Sequence, residues 1–370
     1  MMSQTVSRSL SPEQLDQLAV ELDAVRAREV ADLGEKDARY IRRIYAAVRW
    51  TAFAGRGLIY AGIFMPWLWV AGVLLLGLSK ILDNMELGHN VMHGQYDFLN
   101  DPDLNGKTFE WDIVGTSDNW RQTHNYMHHT YTNIKGVDDD VGYGVLRLFP
   151  EQRWKPMYLF QPFYSVIFAL LFQWGVAIQE LRLGQLFKGR KAWPRFRREL
   201  APVAHKARYQ LVKDYLVFPL LAGPHFLTVA AGNLIANGIR NVWTFSIIFC
   251  GHFTRDAEIF PKSVLKDETR GHWYYRQIRG SSNLTGGPVI DLLSGNLSHQ
   301  IEHHLYPDIP AWRYSRMAPA VREICQRYGI HYNTGSFPGQ AAQVTWRILR
   351  HAFPSRVRGQ GKRVREPVPA

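Results

Sequence analysis

The sequence contains little cysteine: two residues, Cys250 and Cys325, among 370. Two cysteines cannot form a disulfide framework, and they cannot ligate an iron–sulfur cluster that needs four thiolates. A secretory signal is also missing, because the first 45 residues are polar and charged. These absences favour a reduced protein that faces the cytosol, and they argue against a small disulfide-stabilised secreted protein.

Charge is missing from three long stretches of the chain. Asp, Glu, Lys and Arg are all absent from residues 57–79 and 157–179, and residues 215–253 contain only Arg240. Apolar stretches of about 18 residues or more are typical of membrane-spanning helices. A buried core helix explains one such stretch but is a poor explanation for three. The sequence therefore predicts an integral membrane protein, although its mean hydropathy of -0.22 is slightly polar.

The lengths of the apolar stretches predict how often the chain crosses the membrane. Residues 46–82 and 213–253 are each about twice as long as one helical span. Pro66 and Gly232 lie near their middles and predict turns. We therefore predict an all-α integral membrane fold with two helical hairpins and a cytosolic helical cap. The four predicted transmembrane helices are about 46–64, 66–88, 213–231 and 233–253.

The net charge of +12 is concentrated in two segments. Residues 182–213 contain ten Lys or Arg against one Glu, and residues 347–370 contain seven against one. Basic segments next to spans mark the cytoplasmic side and attract anionic lipid headgroups. We therefore expect membrane lipids as partners and both termini on the cytosolic side of the membrane. If the chain is bacterial, this membrane is expected to be the cytoplasmic membrane. A nucleic-acid partner is not expected, because the longer basic segment lies between membrane segments.

The other segments complete a three-part organisation. Residues 1–45 are predicted to form an N-terminal amphipathic cytosolic helix, capped by Ser11 and carrying leucines at helical spacing. Residues 46–345 are predicted to be a single membrane domain, and 346–370 a basic disordered tail. Within the domain, 157–180 is predicted to lie in the interface or to re-enter, because a single crossing would carry part of the basic segment outward.

Eight of the fourteen histidines lie in three short motifs, GHNVMHG, HNYMHH and HQIEHH. They are His89 and His93; His124, His128 and His129; and His299, His303 and His304. Each motif contains a pair four residues apart, which shares one face of a helix and can aim two imidazoles at one metal ion. The adjacent His129 and His304 point about 100° further round. A single histidine is more often a surface or core residue than a ligand, but three such motifs predict a site for two metal ions.

The ligand type narrows the choice of metal without deciding it. Imidazole binds zinc, copper, iron and nickel. Eight histidines exceed the four ligands of one structural zinc site. Two ions held by neutral nitrogen ligands beside a membrane favour redox chemistry over hydrolysis.

The three motifs, in this order and flanking two membrane hairpins, resemble the membrane fatty acid desaturases, and most closely the bacterial acyl-CoA desaturases of the mycobacterial type. The resemblance covers roughly residues 86–307. It implies two iron ions (Fe2+/Fe3+), molecular oxygen as co-substrate and two electrons per turnover. It further implies a cis double bond as product, in a long-chain fatty acyl substrate carried by CoA or a lipid.

The resemblance also extends the set of expected ligands. It implies that all eight motif histidines bind metal, and that His252, at the cytosolic end of the fourth predicted span, does so as well. Some relatives begin the third motif with a histidine at the position that Gln300 occupies here. We expect His299 rather than Gln300 as the ligand, because imidazole binds more strongly, but both positions face the metals on a regular helix. Carboxylates near the motifs are expected to accept ligand N–H groups: Glu86, Asp138 and Glu302.

Two alternative functions remain open at this level. A membrane di-iron hydroxylase or alkane monooxygenase shares the chemistry but inserts oxygen instead of removing hydrogen. A histidine-rich membrane metal carrier would need polar residues along several spans, whereas these histidines lie outside the predicted spans. The chain contains no HPGG-like haem motif, flavin module or four-cysteine cluster. We therefore expect a separate electron-transfer protein as partner: a ferredoxin, a flavoprotein reductase or a cytochrome.

Overall fold

The computed structural model describes residues 10–187 and 189–355, which are mainly helical, as the sequence predicts. The α-helices are α1 Pro12–Ala31, α2 Glu35–Ala61, α3 Pro66–Ile81, α4 Asn90–Met92, α5 Ser117–Trp120, α6 His129–Tyr131, α7 Gln161–Leu170, α8 Phe172–Glu180, α9 Leu183–Phe187, α10 Trp193–Val212, α11 Phe218–Leu220, α12 Phe226–His252, α13 Arg270–Arg279, α14 Pro288–Leu293, α15 Gln300–Leu305, α16 Tyr314–Arg327 and α17 Phe337–Ala352.

Shorter elements complete the described backbone. The π-helical segments are Leu82–His89, Arg121–His128 and Lys213–Val217. The 3-10 turns are Asp97–Leu99, Pro102–Leu104, Val141–Gly144, Pro156–Phe160, Gly223–His225, Lys262–Asp267, Leu297–His299 and Ala311–Arg313. Strands β1 (Asn283–Thr285) and β2 (Thr334–Ser336) pair in parallel with Asn283 opposite Thr334, which ties the segment before α14 to the start of α17.

Helix α1 forms as its sequence predicts. The Ser11 hydroxyl oxygen accepts a hydrogen bond from the backbone amide of Gln14, and the Gln14 side-chain oxygen accepts one from the backbone amide of Ser11. This capping box satisfies two amide groups that the first turn leaves without helical partners. The predicted apolar stripe is buried, with Leu18 and Leu22 packed beside the aromatic side chains of α13 and α16. Residues 10–45 do not form the one helix predicted for this segment, however, because a break at 32–34 separates α1 from α2.

The first predicted hairpin is present, with its turn where Pro66 predicts it. Helices α2 and α3 pack against each other so closely that a Cβ on Gly55 would lie 2.7 Å from the backbone nitrogen of Leu76. A Cβ on Gly72 would lie 2.6 Å from the nitrogen of Ile59. Small residues at a helix crossing allow this approach, which is a common way for helices to associate in membranes.

The turn predicted near Gly232 is wrong. Gly232 lies inside α12, where it faces Ile59 and Trp69, and the chain bends earlier, at residues 221–225. Gly223 has a φ of 55°, which favours glycine, and Pro224 lacks the amide that would continue the preceding helix. The glycine that suggests a turn from sequence thus serves helix packing, and the actual turn uses the Gly-Pro pair nine residues before it.

Membrane-spanning character is clearest in one helix of the described chain. Residues Pro66–Met92 form a continuous helix of 27 residues that is long and apolar enough to cross a membrane. The segments Pro156–Leu170 and Phe172–Glu180 pass the same test only together, and they are bent by 99°. The count of four spans and the interfacial or re-entrant placement of 157–180 therefore stay predictions.

The prediction that residues 346–370 form a disordered tail is wrong at its start, because helix α17 continues to Ala352. Residues 356–370 lie outside the described residues.

A buried group of charges joins the two hairpins. The carboxylate of Asp214 accepts hydrogen bonds from Lys80 Nζ at 3.0 Å and Arg56 Nη2 at 2.9 Å. Its side chain is 1% exposed, and that of Lys80 is 5% exposed. Asn237 also donates to this carboxylate, and Asn233 donates to the Asp214 backbone carbonyl. Buried charges need such pairing, since each alone would be costly to remove from water.

Candidate metal centre

Two π-helical segments place the first two histidine motifs. Leu82–His89 continues α3, and Arg121–His128 continues α5, so His89 and His128 are the last residues of widened helical turns. A π-helical turn rotates the following side chains relative to an α-helix, and such turns are frequent at functional sites. In both motifs the widened turn delivers its histidines into one buried region between α12 and α15.

The described histidines form two adjacent groups of converging ring nitrogens. In the first group the ligand atoms all lie within 4.8 Å of one another, and its members are His89, His93, His124 and His303. The second group, under the same distance limit, consists of His128, His252 and His304. Together the two groups combine residues from all three motifs with the end of α12, so the predicted clustering of the motifs in space is observed.

His129 lies between the two groups. Its ring centroid is 4.7 Å from those of His93 and His303 in the first group, and 4.4 Å from that of His304 in the second. Both of its ring nitrogens are buried and have no hydrogen-bond partner. An imidazole with two unsatisfied buried nitrogens is costly unless something else binds one of them.

In the second group, hydrogen bonds fix which ring nitrogen carries the proton. Nδ1 of His128 lies 2.9 Å from Asp138 Oδ2, and Nδ1 of His252 lies 3.2 Å from the carbonyl oxygen of Gly280. Nδ1 of His304 lies 3.1 Å from Oε1 of Gln277, whose amide nitrogen is engaged elsewhere. Each Nδ1 therefore donates to an oxygen acceptor, which leaves Nε2 as an unprotonated lone pair.

Three of the four histidines in the first group follow the same pattern. Nδ1 of His89 lies 3.0 Å from Asn90 Oδ1, and Nδ1 of His124 lies 3.3 Å from Asp140 Oδ2. Nδ1 of His303 lies 3.4 Å from the hydroxyl oxygen of Tyr314, which itself donates to a backbone carbonyl. The Nε2 atoms of all four histidines in this group are buried and have no hydrogen-bond partner.

These lone pairs fit metal ions held by imidazole. In the second group, His252 Nε2 lies 3.3 Å from His128 Nε2 and 3.1 Å from His304 Nε2. Nitrogen ligands about 2.1 Å from one ion are roughly 3.0–3.4 Å apart. Because each Nδ1 holds the proton, the facing Nε2 lone pairs repel one another unless a cation lies between them. The donor set suits zinc, copper, iron and nickel, and two adjacent groups suit two ions.

Burial favours the neutral form that metal binding requires. It lowers the pKa of His93, His124, His129, His303 and His304 well below the usual value for histidine, and neighbouring histidines lower the pKa of each one further. Burial would also lower the pKa of His128, but the charge of Asp138 and its hydrogen bond raise it above the usual value. Ligand histidines must be deprotonated at the binding nitrogen.

The third motif requires a correction, because His299 does not join either group. It lies in a 3-10 turn with ψ of 55°, and α15 begins only at Gln300, so a helical projection misplaces it. Its Nε2 lies 3.6 Å from Asp291 Oδ1 instead. The side chain beside the second group is that of Gln300, whose Nε2 lies 3.0 Å from His252 Nε2 and whose Oε1 is buried without a partner.

Glycine makes room for the Gln300 side chain. A Cβ on Gly251 would lie 2.9 Å from Cδ of Gln300, closer than real Cβ atoms approach. Rotation of the amide exchanges its nitrogen and oxygen, so the unpartnered oxygen can face the same point as the three Nε2 atoms. The position that sequence reasoning ranked second is therefore the one that geometry favours.

We expect Gln300→Leu and His299→Leu to behave differently. Gln300→Leu removes the side-chain amide that faces the Nε2 atoms of the second group and should reduce the bound metal and lower activity by about 10–100-fold, the size expected for loss of a weak ligand or of a group that supports the ligands. His299→Leu should retain the full metal content. Metal analysis of both purified variants decides between them, and metal loss confined to His299→Leu would restore the original assignment.

Of the three carboxylates predicted to support the histidines, only Asp138 hydrogen-bonds to one of the two groups. Asp138 contacts His128 of the second group and also accepts a hydrogen bond from the backbone amide of Asn133. Glu86 instead accepts hydrogen bonds from Tyr40 and Asn296, and Glu302 from Asn283 and Tyr332. These two carboxylates connect loops around the site and do not hydrogen-bond to the histidine groups.

Sequence reasoning missed several residues that orient the clustered histidines. They are Asn90, Gln277, Tyr314 and the carbonyl of Gly280. Asn90 directly follows His89, and its position inside the first motif was an available signal. Gln277 precedes its partner His304 by 27 residues, and the sequence contains no local pattern that relates the two.

An apolar cavity of about 70 Å³ lies against the two histidine groups. Its wall contains both histidine groups through His89, His124, His128 and His252. Most of the remaining wall surface is apolar, and it includes the side chains of Met85, Trp111, Trp120, Tyr143, Phe172, Ile248 and Phe253. Trp120 stacks on His124 with ring centroids 4.6 Å apart. A histidine-rich centre at an apolar cavity in a helical chain defines the class: an oxidoreductase acting on a long apolar substrate.

Comparison with known proteins identifies the family within that class. Residues 64–336 match the family model described as Fatty acid desaturase, so the chain belongs to the fatty acid desaturase family, a family of membrane-associated oxidoreductases. It is 48% identical over 92% of its length to the NADPH-dependent stearoyl-CoA 9-desaturase of Mycobacterium tuberculosis strain H37Rv, covering 80% of that protein. It is 29% identical over 77% of its length to the sn-1 linoleoyl-lipid 6-desaturase of a Synechocystis species, covering 80% of that protein.

Proposed function

We propose that this chain is an acyl-CoA desaturase that introduces a cis double bond at position 9 of a long-chain acyl group. The convergence of unprotonated Nε2 atoms in two adjacent groups at the cavity wall carries the proposal. The similarity to a protein named as a stearoyl-CoA 9-desaturase supports the acyl carrier and the bond position. In the overall reaction two hydrogens leave the acyl chain, and O2, two electrons and two protons complete the formation of two waters.

We further propose that two iron ions occupy the two groups. His89, His93, His124 and His303 hold one ion; His128, His252 and His304 hold the other, with Gln300 beside it and His129 between the two. The bound irons supply the oxidising power that an unactivated C–H bond requires and that no side chain provides. The chain itself binds the substrate, keeps the Nδ1 protons in place and excludes water from the reacting carbons.

The apolar wall and the surrounding exposed surface support a substrate that reaches the site from a membrane. Both hairpin turns carry exposed apolar side chains: Phe64 is 81% and Trp67 68% exposed in the first, and Leu221 is 72% and Leu227 77% exposed in the second. Such side chains are stable in lipid but unfavourable in water. We propose that four helical segments cross the membrane and that the metal centre and the basic segments lie on the cytosolic side.

The electrons are proposed to reach the site from a separate redox protein. The name of the mycobacterial relative includes NADPH, and we propose NADPH as their ultimate source here. A ferredoxin, a flavoprotein reductase or a cytochrome that docks on the cytosolic face meets the requirement, because NADPH gives up its two electrons together as a hydride while iron accepts electrons one at a time.

Product analysis tests the proposed function. Iron-loaded full-length protein in detergent or nanodiscs, given stearoyl-CoA, oxygen, NADPH and a competent reductase system, should yield the cis-9 unsaturated acyl chain by gas chromatography and mass spectrometry. A hydroxylated product would indicate the hydroxylase alternative. Absence of any oxidised product from iron-loaded protein whose reduction has been verified would contradict the proposal.

A further inference from the structure

Glu180 is a buried carboxyl at the edge of the catalytic cavity that the metal centre does not use. It is the last residue of α8 and is 7% exposed. Its Oε2 atom is buried and has no hydrogen-bond partner. The carboxyl oxygens lie 3.7 and 3.9 Å from the place where a Cβ of Gly115 would be, so the missing side chain of that glycine leaves their flank open. A buried carboxyl oxygen without a hydrogen-bond partner is costly and calls for a ligand or another explanation.

The position of Glu180 connects two different environments. It lines the apolar cavity that contains the histidines, and it also lines a polar pocket on the other side. Thr123 is shared by the two pockets in the same way. The polar pocket contains the basic side chains of Arg182, Lys191 and Arg195, together with Glu199, which pairs with the last two. Glu180 therefore lies at the junction where the wall changes from apolar to polar with an excess of basic side chains.

An acyl-CoA substrate likewise changes from apolar to polar along its length. Its hydrocarbon chain ends at the thioester carbonyl, and the amides and phosphates of the CoA carrier follow. The apolar cavity suits the hydrocarbon chain, and Arg and Lys suit the phosphates. The junction is where the first polar groups of the substrate meet the protein, and a side chain able to hydrogen-bond them is needed there, because their burial would otherwise be unfavourable.

We propose that Glu180 is a substrate-positioning residue that hydrogen-bonds the first polar groups beyond the acyl chain, the thioester carbonyl or the nearest carrier amide. This inference rests on the proposed function. By holding the polar end of the substrate, Glu180 fixes how far the hydrocarbon enters the cavity and hence which carbons lie at the metal centre. The position of the double bond is thereby set partly from the polar end of the cavity.

The electrostatic surroundings agree with a hydrogen-bonding role. Burial, together with the nearby carboxylate of Asp140, raises the pKa of Glu180 well above its usual range. A protonated carboxyl both donates and accepts hydrogen bonds. Glutamine has the same hydrogen-bonding capacity and almost the same shape, whereas leucine has the shape alone, so these two substitutions separate hydrogen bonding from packing.

The test compares Glu180→Gln and Glu180→Leu with the wild-type enzyme and with Glu323→Leu, a control in which an exposed carboxylate on α16 is replaced. Glu180→Leu should raise KM for stearoyl-CoA by about 5–30-fold, the loss expected for one hydrogen bond in a buried site. It should also spread the double bond over positions adjacent to the wild-type one. Glu180→Gln should retain KM and bond position, and all variants should keep the wild-type iron content.

Two outcomes would overturn the role of Glu180. One is a Glu180→Leu enzyme with unchanged KM and a single, unchanged double-bond position. The other is loss of iron in both Glu180 variants, which would assign the residue to support of the metal centre. Failure of the wild-type enzyme to form any unsaturated product would instead contradict the proposed function, so the two failures are distinguishable.

Discussion

His252→Ala is expected to abolish desaturation almost completely, with an activity loss of more than about 100-fold, beyond that expected for outer-shell changes. His252 Nε2 lies at the middle of the second group, within 3.3 Å of His128 Nε2, His304 Nε2 and the Gln300 amide. Its removal leaves two histidines, too few to retain an ion firmly. Iron content should fall from two to one per chain, measured by elemental analysis beside activity.

His225→Ala is the matched control for this variant. His225 immediately precedes α12, at the opposite end of that helix from His252, and is exposed. Loss of this imidazole should leave iron content and activity at wild-type values. If His252→Ala retained two irons per chain while His225→Ala lost one, the assignment of the second group would be wrong.

Asp214→Ala is expected to destabilise the folded protein by about 3–5 kcal/mol, because it leaves Lys80 and Arg56 charged and without their buried partner. The melting temperature in detergent should fall by roughly 5–10 °C, since one kcal/mol corresponds to about 2–4 °C in domains of 150–250 residues and to less in a longer chain. We expect the substitution to lower the stability of the fold without a direct effect on the reaction, because Asp214 does not line the catalytic cavity.

Asp308→Ala serves as the comparison for Asp214→Ala. Asp308 pairs with Arg26 at the surface, where its side chain is 46% exposed. Exposed pairs contribute about 0–1 kcal/mol, so the melting temperature should change by only a few degrees. Equal shifts for the two variants would show that the buried group of charges does not hold the hairpins together.

The sequence predicts most of the metal centre because the relevant information is local. The i, i+4 spacing of His89 with His93 and of His124 with His128 is a property of a few residues. In the structure, His128 lies in the second group and the other three lie in the first. The spacing also survives the π-helical distortion of these segments. His252 lacks such a partner in sequence, and only the resemblance to a family indicated it.

The choice between His299 and Gln300 illustrates where local reasoning ends. A regular helix through the third motif places both side chains toward the metals. The real helix starts at Gln300, because Asn296 adopts a left-handed conformation with φ of 58° and a 3-10 turn follows. The start of α15 depends on the preceding loop, and the space for Gln300 depends on Gly251 of a distant helix. Neither is contained in the motif itself.

Gly232 illustrates the same limit for the fold. Glycine inside an apolar stretch favours either a turn or a close helix contact, and the sequence of α12 alone does not distinguish them. Gly232 serves a helix contact because Ile59 and Trp69 of the first hairpin pack where a side chain at position 232 would lie. The orienting residues Gln277 and Tyr314 likewise reach their histidines only through tertiary packing.

The central claim is that the two histidine groups hold two iron ions that carry out desaturation. Iron quantification on purified full-length protein, combined with Mössbauer spectroscopy and scored against desaturation activity, tests it most directly. We predict two irons per chain in two nitrogen-rich environments, with activity proportional to their occupancy and lost when a chelator removes them. Full desaturation activity in protein that holds one iron or none per chain would contradict it.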